Sequence, residues 1–206
     1  MPKPRDVTVV VTPAAILSYP WIAEPQPPLD EKGKSMFSAA LIFSDEIMRK
    51  FNQFGTSLDP LRAAAKAAAT EKFGDKLPTL LRNPNFKSGF RDDGEDKGYP
   101  KGAVYINARN ERRPGAVYLY PAPDGRPALV LPDDIKDAFY PGAIVRAQVR
   151  AFGFDKAGNK GVSFALNNIQ LIDGSAPRLD GRAAAEDAFE ADATAAPPEL
   201  DDAGGE

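Results

Sequence analysis

Cysteine and histidine are both absent from the 206 residues. Without cysteine there is no disulfide framework, no thiolate nucleophile and no cysteine-based zinc site, a palette that suits an intracellular, reducing setting. Without histidine, the usual general base near neutral pH and the commonest metal ligand are missing too. Carboxylate and lysine chemistry stay possible, but the palette argues against an enzyme. Long apolar runs are also missing: no stretch approaches the roughly 20 residues that span a bilayer. The opening "MPKPRDVTVVV" lacks an apolar segment of adequate length and a small-residue cleavage site, so no signal peptide is expected.

The hydrophobic and charged fractions, 43% and 27%, are those of an ordinary globular protein, and the length suits one domain with appendages. The net charge of −3 conceals an asymmetry. From Asp173 onward there are ten acidic residues against Arg178 and Arg182, a charge of −8, which leaves +5 on the first 172 residues. A mildly basic body with an acidic tail is expected, divided into 1–172 and 173–206. The tail is rich in Ala, Pro, Asp and Glu, with Leu179, Phe189 and Leu200 as its large apolar residues. It cannot bury enough surface to offset chain entropy and is expected to be disordered.

Strands are expected at 6–11, 35–44, 102–109, 115–120, 127–131, 143–154 and 162–172, from β-branched and aromatic content bounded by turn residues. The proline-rich stretch 18–34 reads as a loop or extended connection. Ser44 is a candidate N-cap for a short helix to about Asn52. A second helix should run from a cap at Asp59, through Pro60 and the alanine run, to Gly74. The stretch 82–101 has no periodicity and is long for a loop inside a compact domain. Short strands with one or two helices inserted among them predict a small β-barrel or strongly curved sheet.

Side chains two apart on a strand share a face. In "RAQVRAFGF" one register gives Val145, Ala147, Val149 and Ala151. The other gives Arg146, Gln148, Arg150, Phe152 and Phe154. In "GAVYINAR" Tyr105, Asn107 and Arg109 likewise oppose Val104, Ile106 and Ala108. Phenyl rings can stack on unpaired bases, while arginine neutralises phosphate, which is the chemistry of single-strand binding. The competing reading puts Phe152 and Phe154 in the core, with the arginines snorkelling at an edge. Lys156 and Lys160 flank the hairpin tip. Arg91 and Tyr99 belong to the long loop, where basic and aromatic residues interleave.

Two other clusters invite chemistry. The run "DDGED" (Asp92, Asp93, Glu95, Asp96) has carboxylates of the kind that bind Mg²⁺ or Ca²⁺, but not the spacing of an EF-hand. The glycines of "DKAGNKG" lack the GK[ST] and the following helix of a phosphate loop, and read as turn residues. Neither a cofactor nor a metal is implied.

Several motifs together resemble a family of phage and prophage single-stranded-DNA-binding proteins, long labelled a domain of unknown function, whose characterised members have an OB-fold. They are Tyr140-Pro141-Gly142, Val145-Arg146-Ala147, Gly158-Asn159-Lys160-Gly161-Val162 and Leu166-Asn167-Asn168, with looser matches at Asp180-Gly181-Arg182 and Ala185-Glu186-Asp187-Ala188-Phe189. Upstream, "LSYPWIAEP" is similar to the family's "LSYPHLFEP". "FRDDGEDKGYPKGAVYINARNERRPG" shares Arg91, Asp92, Gly94, Tyr99, Asn107, Ala108, Arg113 and Pro114 with it. One departure stands out. Bacterial single-strand-binding proteins end their acidic tails with a proline and a phenylalanine that dock partners, whereas this chain ends "ELDDAGGE".

The resemblance implies a mainly β OB-fold barrel with one or two inserted helices that binds single-stranded DNA largely independently of sequence and without catalysis, in phage replication or recombination, in the cytoplasm of the bacterial host. The expected contacts are Arg146, Arg150, Phe152, Phe154, Tyr105, Arg109, Lys156, Lys160, Arg91 and Tyr99. The acidic tail could compete with DNA or recruit replication and recombination proteins; no membrane is involved. Two other classes stay open on the residues alone. One is a phage assembly or accessory interaction protein with a β-barrel body, and the other is a metal-dependent nuclease using the "DDGED" carboxylates.

Overall fold

The computed structural model describes residues 6–28, 33–156 and 158–179. Nine strands form one sheet: β1 (Val9–Val11), β2 (Ala15–Gln26), β3 (Met36–Phe43), β4 (Phe90–Arg91), β5 (Val104–Asn110), β6 (Gly115–Pro121), β7 (Pro127–Leu129), β8 (Ile144–Lys156) and β9 (Asn159–Asp173). Four helices interrupt them: α1 (Asp45–Lys50), α2 (Asp59–Phe73), α3 (Leu77–Leu81) and α4 (Ile135–Ala138). The pairings β8–β2–β3–β5–β9 return to β8 through the long β8–β9 hairpin, so five strands close a barrel. All of these pairs are antiparallel except β5–β9. β6 and β7 extend the sheet beyond β9, β1 lies along β8, and β4 pairs with β5.

The inside of the barrel is the apolar register read from the sequence. Val145, Ala147, Val149 and Ala151 of β8 are buried with Ala39, Leu41 and Phe43 of β3, Ile106 and Ala108 of β5, and Phe164 and Leu166 of β9. The face bearing Phe152 and Arg150 therefore points outward. α2 buries Leu61, Ala64, Ala65, Ala68 and Ala69 against this core. Its small side chains allow close approach. A Cβ on Gly153 would lie 2.4 Å from the Lys72 Cβ and 3.1 Å from the Ala68 carbonyl oxygen, so the helix seats on β8 only at a glycine.

Local signals held with shifts. The Ser44 hydroxyl accepts a hydrogen bond from the Ile47 N–H and caps α1. α2 begins one residue earlier than expected: Leu58 occupies the cap position, and the Ser57 hydroxyl accepts from the Asp59 N–H instead. Gly74 ends the helix at φ +49°.

The largest difference lies in 18–34. Much of it belongs to β2, a strand paired with β3, rather than to a loop. Proline lacks the donor a ladder needs. Accordingly the β2–β3 register breaks between Ser18 and Trp21 and again between Trp21 and Gln26, where Pro20 and Pro25 fall.

Residues 173–179, which the expected boundary gives to the tail, lie against the body. β9 runs to Asp173, and the Tyr140 hydroxyl lies 2.8 Å from the Gly174 carbonyl oxygen and 2.6 Å from that of Ala176. The Leu179 N–H donates to the Pro141 carbonyl at 2.9 Å. Gly142, at φ +112°, has the Pro177 carbonyl oxygen 2.2 Å from where a Cβ would stand. The Tyr140-Pro141-Gly142 motif thus anchors this segment. The expected disordered tail beyond it, including Phe189, lies outside the described residues.

Candidate nucleic-acid interface

A groove of about 770 Å³ crosses the outer face of the barrel. Phe152, Phe154 and Lys156 of β8, Val162 and Ser163 of β9, and Asn107 and Arg109 of β5 line it, and the segment 86–91 forms its wall. Phe152 is 39% exposed, a high value for a phenyl ring. It lies opposite Ser163, and Phe154 opposite Gly161, in uninterrupted register, so Gly153 introduces no bulge. Arg109 and Lys156 are exposed and make no ion pair with any described residue.

The wall is fastened to β9. The Lys87 N–H donates to the Lys160 carbonyl at 3.0 Å, and the Val162 N–H donates to the Lys87 carbonyl at 2.8 Å. Gly161 permits this approach, since a Cβ there would lie 2.3 Å from the Lys87 oxygen. Phe86 and Phe90 pack edge-on against Phe73 and Phe164, with centroids 5.8 and 5.6 Å apart. The rings of this loop are thus anchors as well as groove lining.

Two expected contacts are corrected. Tyr105 and Tyr99 are only 2% and 8% exposed, so neither ring stands on an open face. Alternation placed Tyr105 on the outer side, but residues 92–103 fold over that side. Tyr99 packs edge-on against Tyr105 at 5.3 Å and donates its hydroxyl hydrogen to Ser18. The Tyr105 hydroxyl donates to Asp93 at 2.8 Å and accepts from the Lys97 ammonium. The hydrogen bond with Tyr105 holds the Asp93 carboxyl below, and the Lys97 ammonium above, its ordinary pKa.

The remaining cations divide by their partners. Arg91 reaches the groove but pairs with Asp93 at 3.2 Å. Lys160 pairs with Asp155 at 3.1 Å, and Arg150 with Asp6 at 3.7 Å. Arg146 sits furthest from the groove's character: its Nε donates to Gln170 at 2.6 Å, and its guanidinium covers the Phe54 ring at 4.6 Å. Burial pulls its pKa below the ordinary value. It serves packing more than an open site.

Asp93 is committed to Tyr105, Arg91 and Lys97, and among the described residues no three carboxylates gather as metal ligands. The "DDGED" run braces the loop that covers Tyr105.

Sequence reasoning missed Tyr19 and Trp21. Both lie in the proline-rich stretch that reads as connection, and both stand exposed on β2. Their signal was their company: two large aromatics flanking a proline, in "SYPW", next to a buried strand.

A closed five-stranded barrel with a single parallel pair and a basic, ring-lined outer groove defines an OB-fold protein. The chain belongs to the family described as "Enterobacter phage Enc34, ssDNA-binding protein", which it matches over residues 8–199. Its fold is similar to that of the single-stranded DNA-binding protein from bacteriophage Enc34 in complex with ssDNA. The TM-score is 0.59 at 16% identity, over 81% of this chain and 86% of that one. A second structure of that phage protein gives 0.60 at 17% identity, over 89% and 90%. No curated protein matches the sequence. Among the described residues no helix is long and apolar enough to cross a membrane.

Proposed function

We propose that this chain binds single-stranded DNA largely without regard to sequence, acts on it by occupancy rather than by catalysis, and serves phage replication or recombination in the host cytoplasm. One observation carries the reading: a single groove brings Phe152 and Phe154 together with Arg109 and Lys156, two exposed cations that make no ion pair with any described residue. Rings stack on bases of any identity, and cations hold phosphates. Stacking carries no base identity and phosphate contacts position the strand without reading it, which supports binding largely independent of sequence. Arg150, Lys160 and Arg91, each in an exposed ion pair, lie close enough in the chain to exchange a carboxylate for a phosphate. The test is an oligonucleotide-binding assay comparing single-stranded DNA, duplex DNA and RNA at two salt concentrations. Tight, salt-sensitive binding of the single strand over the duplex is expected; equal affinity for duplex would overturn the reading.

A second reading, an assembly or accessory interaction protein, is favoured by the β6–β7 extension, which exposes Leu119, Tyr120 and Leu129 with Leu131 just beyond. It predicts no affinity for oligo-dT and a stable symmetric oligomer.

A further inference from the structure

Trp21 stands opposite Ser38 on β3, and Ser38 stands opposite Arg109 on β5. Directly opposed residues of a ladder project from the same side of a sheet. The three therefore share the outer face that carries the groove. A second hollow, of about 410 Å³, begins where the first ends. Asn107 and Arg109 line both, and Tyr19 and Trp21 form part of the second one's lining. These two rings are 64% and 38% exposed.

Tyr19 adds an independent observation. Its φ is +47°, and among the described residues it is the only non-glycine with positive φ. A bulky side chain adopts that conformation at a cost and keeps it only where the surroundings over-determine it, which is commonest at functional sites. Here it falls at the first break in the β2–β3 ladder, beside Pro20. The break holds two large rings out of the core within three residues.

We propose that Tyr19 and Trp21 form a second base-stacking station, so that a single strand crosses the outer face from Phe152 and Phe154, over Arg109, to these rings. This rests on the reading that the groove takes single-stranded DNA. The path runs from β8 across β9, β5 and β3 to β2, four strand spacings of about 4.8 Å, or roughly 19 Å. A barrel of this kind covers about 4–16 nucleotides, so the span is within reach of one strand. Arg109 lies between the two aromatic ends and places a cation midway. At the second end Lys34 is tied to Glu111 at 2.9 Å, so rings rather than free charge dominate there.

Trp21 is the one tryptophan of the chain, and its fluorescence reports on this end alone. The test titrates the full chain with oligo-dT of about 4 and about 12 nucleotides, lengths near the ends of that footprint range. Anisotropy of labelled DNA reports overall binding alongside. Both lengths should bind, and only the longer should quench Trp21. Trp21→Ala and Tyr19→Gly should each weaken the longer oligonucleotide by on the order of 5- to 150-fold, leaving the shorter unchanged. Trp21→Phe should restore most of the loss. Tyr19→Gly removes the ring while relieving the backbone, so its effect cannot be put down to unfolding. Binding of the longer strand with no quench and no loss in either variant would overturn the second station and leave the groove standing. Equal quenching by both lengths would merge the two stations into one site and overturn the proposed order. Failure of both lengths to bind would instead overturn the groove reading itself.

Discussion

Phe152 lies directly across from Ser163 in the β8–β9 ladder, a large ring facing a hydroxymethyl group. Its neighbour across the ladder is small, and the ring stays part-exposed on the outer side of a closed barrel. The ring shares its groove with Arg109 of β5 and Lys156 of the hairpin.

Replacing this ring should weaken binding without weakening the fold. Phe152→Ala should cost about 1–3 kcal/mol of affinity for oligo-dT, the worth of one stacked base, with little change in Tm, because the ring is part-exposed rather than core. Phe154→Ala should cost affinity too, with a measurable drop in Tm, since that ring is half-buried. A Phe152→Ala variant that binds oligo-dT like the parent would remove stacking from the account.

The electrostatic half has its own measure. Log affinity should fall linearly with log salt, with a slope near −0.7 per phosphate neutralised on a single strand. Arg109→Ala and Lys156→Ala should each shallow the slope by about that amount. Lys160→Ala should change it less, since Asp155 already offsets that charge. A salt titration that stays flat in the parent chain would sink the claim.

Gly161 tests the wall. With the Lys87 oxygen 2.3 Å from any Cβ at this position, Gly161→Ala must push the 86–91 segment away from β9. A destabilisation of about 1–3 kcal/mol is expected, together with weaker DNA binding as the groove opens. Thermal melts and anisotropy on the same sample decide it. Unchanged Tm and affinity would mean the wall tolerates the shift.

The acidic segment sets a fourth expectation. Its removal should tighten binding to DNA at low salt, because an anionic competitor is gone. The cut belongs after Leu179 rather than after Ile172, since residues 174–179 carry the partners of Tyr140 and Pro141. Unchanged or weaker binding after that truncation would count against competition by the tail.

The β8 strand was legible in the sequence because both of its faces obey a period of two: small apolar residues inward, rings and cations outward. β5 was legible in the same way, yet the conclusion for Tyr105 did not follow. Alternation assigns a side chain to a side of a sheet; it cannot see a loop from residues 92–103 laid over that side. β2 was lost for the opposite reason. Pro20 and Pro25 argue against a strand where each residue must donate, and the strand survives by breaking register at those points. Trp21 went with it. The anchoring of residues 174–179 was hidden as well, because composition marks them as tail while one hydroxyl and one glycine, far back in the chain, hold them.

The fastening of Lys87 to β9 also bears on rates. A groove wall that must order itself around a ligand slows association and spends part of the binding free energy on its own ordering. Here the wall is stitched in place before any strand arrives, by two backbone hydrogen bonds to Lys160 and Val162. Encounter should then be governed by the attraction of Arg109 and Lys156 for a polyanion, and salt should act mainly on the association rate. A strand that reaches the groove finds it already built.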